Sequence, residues 1–114
     1  MTANEFRRMA LSLPLVTEAK HQGHPDFRVD GKIFATLGYP DKSWAMVKLP
    51  AKVQGLFVRS EPDVFVPAKG AWGLRGATCV LLRRARNITL RVALAEAWHN
   101  TAPNNLKRQI NFRE

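Results

Sequence analysis

Apolar residues recur every three or four positions in three segments of the chain, the spacing that gives an α-helix one buried face. These segments predict helices over about residues 3–13, 50–60 and 87–102. Thr2 and Glu5 have the spacing of a capping box, which favours a helix start at this point. The last helix has the longest apolar stripe, formed by Leu90, Ala93, Leu94, Ala97 and Trp98.

Elsewhere, apolar and polar residues alternate with the period of two that is typical of β-strands. Asp30-Gly31 separates two such runs and is typical of a two-residue type I′ turn, because both turn positions take positive φ angles. The segment 69–76 around Trp72 is rich in glycine and is predicted to be a loop. Strands are predicted over residues 26–29, 32–38, 44–49, 64–66 and 78–83, with a short polar strand over 18–23.

These elements predict a two-layer α+β domain in the order α-β-β-β-α-β-β-α. Neighbouring strands that are joined by short turns are antiparallel. Three helices with one apolar stripe each cover one face of a sheet, which leaves the other face open to solvent or to a partner. The domain is expected to span residues 1–103, followed by a basic C-terminal tail over residues 104–114.

Positive charge dominates the composition. The chain of 114 residues has 18 lysines and arginines against 9 aspartates and glutamates, a formal net charge of +9. Such a charge attracts polyanions, chiefly nucleic acid and anionic membrane surfaces, although small domains are also basic for solubility alone. Cys79 is the single cysteine, so an intramolecular disulfide is excluded and a reducing, cytoplasmic location is expected. No signal peptide and no membrane span are expected, because no apolar run approaches the necessary length of about 20 residues.

Lysines and arginines are concentrated around the predicted hairpin, the Trp72 loop and the junction before the last helix. Hairpins that project from a sheet can act as wings whose cations neutralise phosphates. Trp72 lies among glycines and is expected to be exposed, where it could stack on an unpaired base, whereas Trp98 is expected in the core. The residues predicted to bind nucleic acid are Arg28, Lys32, Lys48, Trp72, Arg75, Arg83, Arg84 and Arg86.

His21, His24 and Asp26 are residue types that bind metals. Their spacing is not that of a helical pair, and Gly23 and Pro25 direct the side chains apart, so no metal site is predicted. His24 and Asp26 are instead expected to hydrogen-bond the backbone at the start of the hairpin. The chain has neither a nucleophile elbow nor a phosphate-binding glycine loop, so no enzyme activity and no cofactor are predicted.

Six short segments between about residue 5 and residue 103 stand together in a recognisable set. They are Ala10–Pro14, Gly23–Arg28, Gly31–Ala35, Met46–Leu49, Trp72-Gly73 with Arg75–Ala77, and Ala97-Trp98 with Ala102-Pro103. As a set they resemble the MmcQ/YjbR family of small bacterial proteins, which is generally described as DNA-binding and CyaY-like. The resemblance implies a compact α+β domain with an antiparallel sheet and a double-wing contact with DNA.

Two features depart from the usual pattern of that family. Arg83, Arg84 and Arg86 make the junction before the last helix more cationic than in most members, and the tail extends past the common end. Iron handling, which the CyaY-like description suggests, needs an acidic ridge of carboxylate ligands. The nine acidic residues are scattered along the chain, so this function is not transferred.

The sequence therefore predicts a non-enzymatic DNA-binding domain that makes mainly phosphate contacts and has limited sequence specificity. One alternative is a protein-interaction or homodimerisation module that pairs with a partner, or with a second copy of itself, through the exposed sheet face or a strand edge. Another is a small-molecule pocket near His24, Asp26 and Trp72. The DNA prediction requires the surplus cations to lie on one surface without neighbouring carboxylates.

Overall fold

Six antiparallel strands form one sheet in the order β1-β2-β3-β4-β6-β5, in a computed structural model that describes residues 1–109. The strands are β1 Val16–His21, β2 His24–Val29, β3 Lys32–Leu37, β4 Trp44–Lys48, β5 Phe65–Pro67 and β6 Ala77–Leu81. The helices are α1 Ala3–Leu11, α2 Ala51–Ser60, α3 Gly70–Leu74, α4 Asn87–Thr101 and α5 Asn104–Gln109, with a single 3₁₀ turn over Leu82–Arg84.

Local signals in the sequence account for the first helix and the first tight hairpin. The Thr2 hydroxyl accepts a hydrogen bond from the Glu5 amide, and the Glu5 carboxylate accepts one from the Thr2 amide, so the capping box is confirmed. Asp30 and Gly31 join β2 to β3 with φ angles of 54° and 75°, as a type I′ turn requires.

Helices α1, α2 and α4 cover one face of the sheet and enclose the main core. The five apolar positions of the α4 stripe are all buried. Trp98 is fully buried and its indole N–H donates to the Pro14 carbonyl oxygen at 2.9 Å. The α+β class and the antiparallel sheet are therefore confirmed.

The element order differs from the expected one in detail. The polar segment is a full strand, β1, which pairs with β2 along its whole length, so four strands precede α2. The predicted sixth strand ends at Leu81 and continues as the 3₁₀ turn. Helix α4 begins at Asn87, whose side chain does not act as the cap. The expected tail contains α5, from which Leu106 packs against the core; its residues 110–114 lie outside the described residues.

The segment around Trp72 is the short helix α3 rather than a loop. Two glycines make this packing possible. A Cβ atom at Gly73 would lie 1.7 Å from the Ala68 carbonyl oxygen, and one at Gly76 would lie 1.8 Å from the Leu49 carbonyl oxygen. The glycines are therefore needed because two backbone segments lie very close together here, and this close packing determines the position of Trp72.

An extra residue in β3 determines which side chains reach the face opposite the helices. Phe27 of β2 lies opposite Ala35, whereas the next residue, Arg28, lies opposite Ile33, so Phe34 has no partner across β2. Such a β-bulge changes the inward and outward alternation of a strand. Phe34 and Ala35 consequently both belong to the helix-side core, and Ile33 is free to line the other face.

Candidate functional site

A cavity of about 370 Å³ lies on the sheet face that the core helices leave uncovered, and we call it the open-face cavity. The residues that line it come from β1, β2 and the turn between them, from β3, β4 and the turn between those strands, and from helix α3. Its lining residues are His21, Gln22, His24, Ile33, Thr36, Tyr39, Met46, Lys48 and Trp72.

Strand register explains why the floor of the cavity has this composition. Thr36 in β3 lies opposite Asp26 in β2 and opposite Met46 in β4, so the three side chains project from the same face. Lys48 is two residues beyond Met46 on β4 and shares that face, since successive side chains of a strand alternate. Met46 packs on this face against Cys79 and its neighbours in a second, smaller apolar cluster.

Thr36 is the unusual residue of the floor. It is only 4% exposed, and its hydroxyl oxygen has no hydrogen-bond partner among residues 1–109. Buried hydroxyl groups in folded proteins nearly always have a partner, because removal from water without one costs free energy. Thr36 therefore holds hydrogen-bonding capacity at the cavity wall that the described part of the protein does not use.

Aromatic side chains form the walls. Trp72 on α3 is 54% exposed and Tyr39 in the turn after β3 is 42% exposed, so the expected exposure of Trp72 is confirmed. The His24 ring meets the Tyr39 ring edge-on at a centroid distance of 6.3 Å. Gly38 has a φ of +83°, and a Cβ atom there would lie 3.3 Å from His24 Nδ1. A glycine at this turn thus leaves room for the imidazole.

Asp26 is fully buried beside the cavity and is held by side chains. Arg28 donates from Nε to Oδ1 at 2.8 Å and from Nη2 to Oδ2 at 3.0 Å, and His21 Nδ1 lies 2.9 Å from Oδ2. The Arg28 hydrogen bonds lower the pKa of Asp26 although burial acts in the opposite direction. The expectation that Asp26 bonds the backbone at the hairpin entry is wrong, because these two side chains occupy its oxygens.

The structure also locates other potentially reactive groups. No cluster of three or more His, Cys, Asp or Glu residues that could hold a metal ion occurs within residues 1–109. Cys79 is buried in β6, and burial raises the pKa of its thiol. Within the described residues, no helix is long and apolar enough to cross a membrane.

Three residues predicted to bind nucleic acid lie around a fourth, Lys48. Lys48 lines the open-face cavity with Trp72, a second depression with Lys32 and a third with Arg75. Its backbone carbonyl accepts a hydrogen bond from Asn100 of α4 at 3.0 Å, which ties the end of β4 to that helix. We call Lys32, Lys48, Trp72 and Arg75 the Lys48 surface. Within residues 1–109, none of its three cations forms an ion pair.

Arg28 also lines the second depression with Lys32 and Lys48, but its guanidinium group is bound to Asp26. The three other predicted cations are placed differently. Arg83, Arg84 and Arg86 follow the Leu81 end of β6, whereas Lys48 lies opposite Ala77 at the other end. The intervening strand is about 13 Å long at the usual rise per residue. Arg84 lies 3.7 Å from Asp63 and Arg86 lies 3.4 Å from Glu61, while Arg28 is bound to Asp26. The eight predicted residues therefore do not form one surface, and three of the cations have carboxylate neighbours.

Sequence reasoning did not identify Thr36, Tyr39 and Met46 as site residues. Thr36 could have been identified, since it is a polar residue within an apolar strand, on the face of the sheet that was predicted to be open. Nothing in the sequence distinguished Tyr39 from an ordinary turn residue or Met46 from an ordinary core residue. The neighbourhood of His24, Asp26 and Trp72, considered from the sequence as a small-molecule pocket, does contain a cavity.

Comparisons with known proteins agree with the fold. The family model YjbR matches residues 11–100. Among solved structures, the crystal structure of Deinococcus radiodurans protein DR2400, with domain DUF419, superposes with a TM-score of 0.72 at 14% identity. The match covers 99% of this chain and 84% of that one. A search of curated proteins found no significant match. At this identity the structural likeness shows the fold alone.

Proposed function

The chain belongs to the YjbR family, and from this premise and the Lys48 surface we propose that it is a non-enzymatic domain that binds DNA through phosphate contacts with limited sequence specificity. The observation that carries the proposal is the grouping of Lys32, Lys48 and Arg75 on one surface beside an exposed tryptophan.

Unpaired cations are the groups that bind a phosphate backbone best. Each lysine or arginine that neutralises a phosphate releases condensed counterions, which makes affinity fall steeply with salt. A cation that already has a carboxylate neighbour adds less positive potential. Lys32, Lys48 and Arg75 therefore contribute more than Arg28, Arg84 and Arg86 in this proposal.

Trp72 adds a second kind of contact. Its exposed ring lies on the same surface as Lys48, where it can stack on a base that is not paired. Stacking is tolerant of base identity, and phosphate contacts carry no sequence information. Both properties support binding with limited sequence specificity.

The test compares two triple variants that remove the same number of charges. One carries Lys32→Ala, Lys48→Ala and Arg75→Ala; the other carries Arg83→Ala, Arg84→Ala and Arg86→Ala. Binding to a duplex and to a single strand is measured over a series of salt concentrations. We expect the first variant to reduce the slope of log affinity against log salt by about three units, and the second to reduce it by less than half as much.

Two results would overturn the proposal. If the wild-type protein binds neither probe at low salt, the DNA function is wrong. If both triple variants lower the slope equally, net charge rather than the Lys48 surface controls binding.

The interaction-module alternative has less support from the sheet edges. β5 is three residues long and ends in Pro67, and β1 exposes Glu18 and Lys20. Short strands, proline and charge at an edge discourage pairing with another chain. We also propose a cytoplasmic location, which suits a protein whose Cys79 is a free thiol.

A further inference from the structure

The open-face cavity is not explained by DNA phosphate contacts, because most of the surface that lines it is apolar. We propose that this cavity binds a small, flat aromatic molecule that carries a negative charge. This inference goes beyond the proposed function and is tested without nucleic acid.

Size and shape come first. The volume of about 370 Å³ lies within the range of about 300–1,000 Å³ that is usual for small-molecule sites. Trp72 and Tyr39 come from separate elements and offer ring faces and edges to a planar ligand. Met46 on the floor has a flexible, polarizable side chain that adapts to the outline of a ring.

The charge of the cavity lining determines which ligand charge is favoured. Lys48 is exposed at the cavity, and none of the described residues that line the cavity is acidic. Asp26 lies opposite Thr36 in the neighbouring strand. Its carboxylate already accepts hydrogen bonds from Arg28 and is 2.9 Å from His21 Nδ1. A carboxylate or phosphate on the ligand would therefore be the counter-charge for Lys48, and a cationic ligand would meet an unfavourable field.

Thr36 provides an independent indication that the cavity is a binding site. Its hydroxyl is buried at the cavity wall and has no partner within residues 1–109. A ligand that carries its own donor or acceptor can supply that partner. Sites that bind small molecules usually combine an apolar lining with a few such polar groups.

Two kinds of molecule share this chemistry, a free aromatic carboxylic acid and a mononucleotide. Calorimetric titration of the full chain compares four probes: 1-naphthoate, the neutral 1-naphthylmethanol, the cationic 1-naphthylmethylamine and thymidine 5′-monophosphate. We expect at least one anionic probe to bind with a Kd below about 1 mM, and the neutral and cationic probes to bind roughly tenfold more weakly or not at all. The tighter of the two anions identifies the source.

Exposed substitutions that preserve the core provide the controls. Lys48→Met keeps the length of the side chain and removes its charge, and we expect it to weaken the anionic probe roughly tenfold without changing the neutral one. Trp72→Leu should weaken all aromatic probes. Lys52→Met removes a charge from an exposed position of α2 that does not line the cavity, and should leave every Kd unchanged.

The proposal is overturned if neither anion binds with a Kd below about 1 mM, or if 1-naphthoate binds but the neutral and cationic naphthalene probes bind equally well. It is also overturned if Lys48→Met and Lys52→Met have the same effect on the Kd of the anion that binds more tightly. Failure of the DNA proposal would leave these outcomes unaffected, since no outcome depends on a nucleic-acid strand.

Discussion

The same substitution at two buried threonines should change stability in opposite directions. Thr36 and Thr78 are 4% and 0% exposed, and both lie in strands of the central sheet. The Thr78 hydroxyl donates to the Gly76 carbonyl at 2.8 Å and lies 3.2 Å from the Gln54 amide nitrogen. The Thr36 hydroxyl has no partner in the described part of the chain. Replacement by valine keeps the branched shape in each case and puts a methyl group in place of the hydroxyl.

The expected magnitudes follow from the hydrogen bonds. A buried polar group without a partner costs about 1–3 kcal/mol, so Thr36→Val should raise the free energy of unfolding by about 1–2 kcal/mol. Thr78→Val should lower it by about 1–3 kcal/mol, because it removes a satisfied hydroxyl and leaves its neighbours with fewer bonds. For a chain of 114 residues, 1 kcal/mol corresponds to a change in Tm of about 4 °C.

Thermal unfolding followed by circular dichroism, with a urea titration as a second measurement, decides between the alternatives. Thr36→Val should unfold at a higher temperature than wild type and Thr78→Val at a lower one. If Thr36→Val unfolds at the lower temperature, the Thr36 hydroxyl has a stabilising partner and the argument about the cavity wall is refuted.

Two other predictions concern stability. The lowered pKa of Asp26 means that its charged form stabilises the fold above about pH 4, its ordinary range. This contribution is lost as pH falls through the pKa of Asp26 in the folded protein. Asp26→Asn should therefore lower the free energy of unfolding at pH 7 by about 2 kcal/mol and reduce its loss below about pH 4 in urea titrations. An unchanged loss of stability at acid pH would contradict this role of Asp26. Gly73→Ala should lower stability by about 1–3 kcal/mol because its Cβ meets backbone. Gly55→Ala in α2 is the matched control, because its Cβ would contact only the end of the flexible Arg59 side chain. It should stabilise the fold by about 0.5–1 kcal/mol. Equal effects of the two substitutions on thermal unfolding would count against a close backbone approach at Gly73.

Features of the fold that depend on neighbouring residues were predictable from the sequence. The Asp30-Gly31 turn and the Thr2–Glu5 capping box each need only a few consecutive positions, and both are confirmed. The α4 stripe extends from Leu90 to Trp98, about two and a half turns of helix, and therefore predicts the helix clearly. The short helix α3 was missed because it depends on the distance between Gly73 and the Ala68 carbonyl, which no local pattern reports.

The site was harder to predict because it depends on contacts between elements. Arg28 and Asp26 are two residues apart on one strand, so their pairing could have been inferred from strand alternation. The pairing of Arg84 with Asp63 could not, since it joins segments on either side of β6. The cavity needs the bulge at Phe34 as well as the position of α3, and neither is visible as a periodic pattern.

Lys48 borders all three depressions around β4, and this has a consequence for occupancy. One ammonium group cannot serve fully as the counter-ion of a phosphodiester and of a bound organic acid at the same time. DNA and the organic acid should therefore each weaken the binding of the other by the same factor, as thermodynamic linkage requires. If both proposals hold, a rise in the concentration of the acid would release the protein from DNA without a change in the protein backbone.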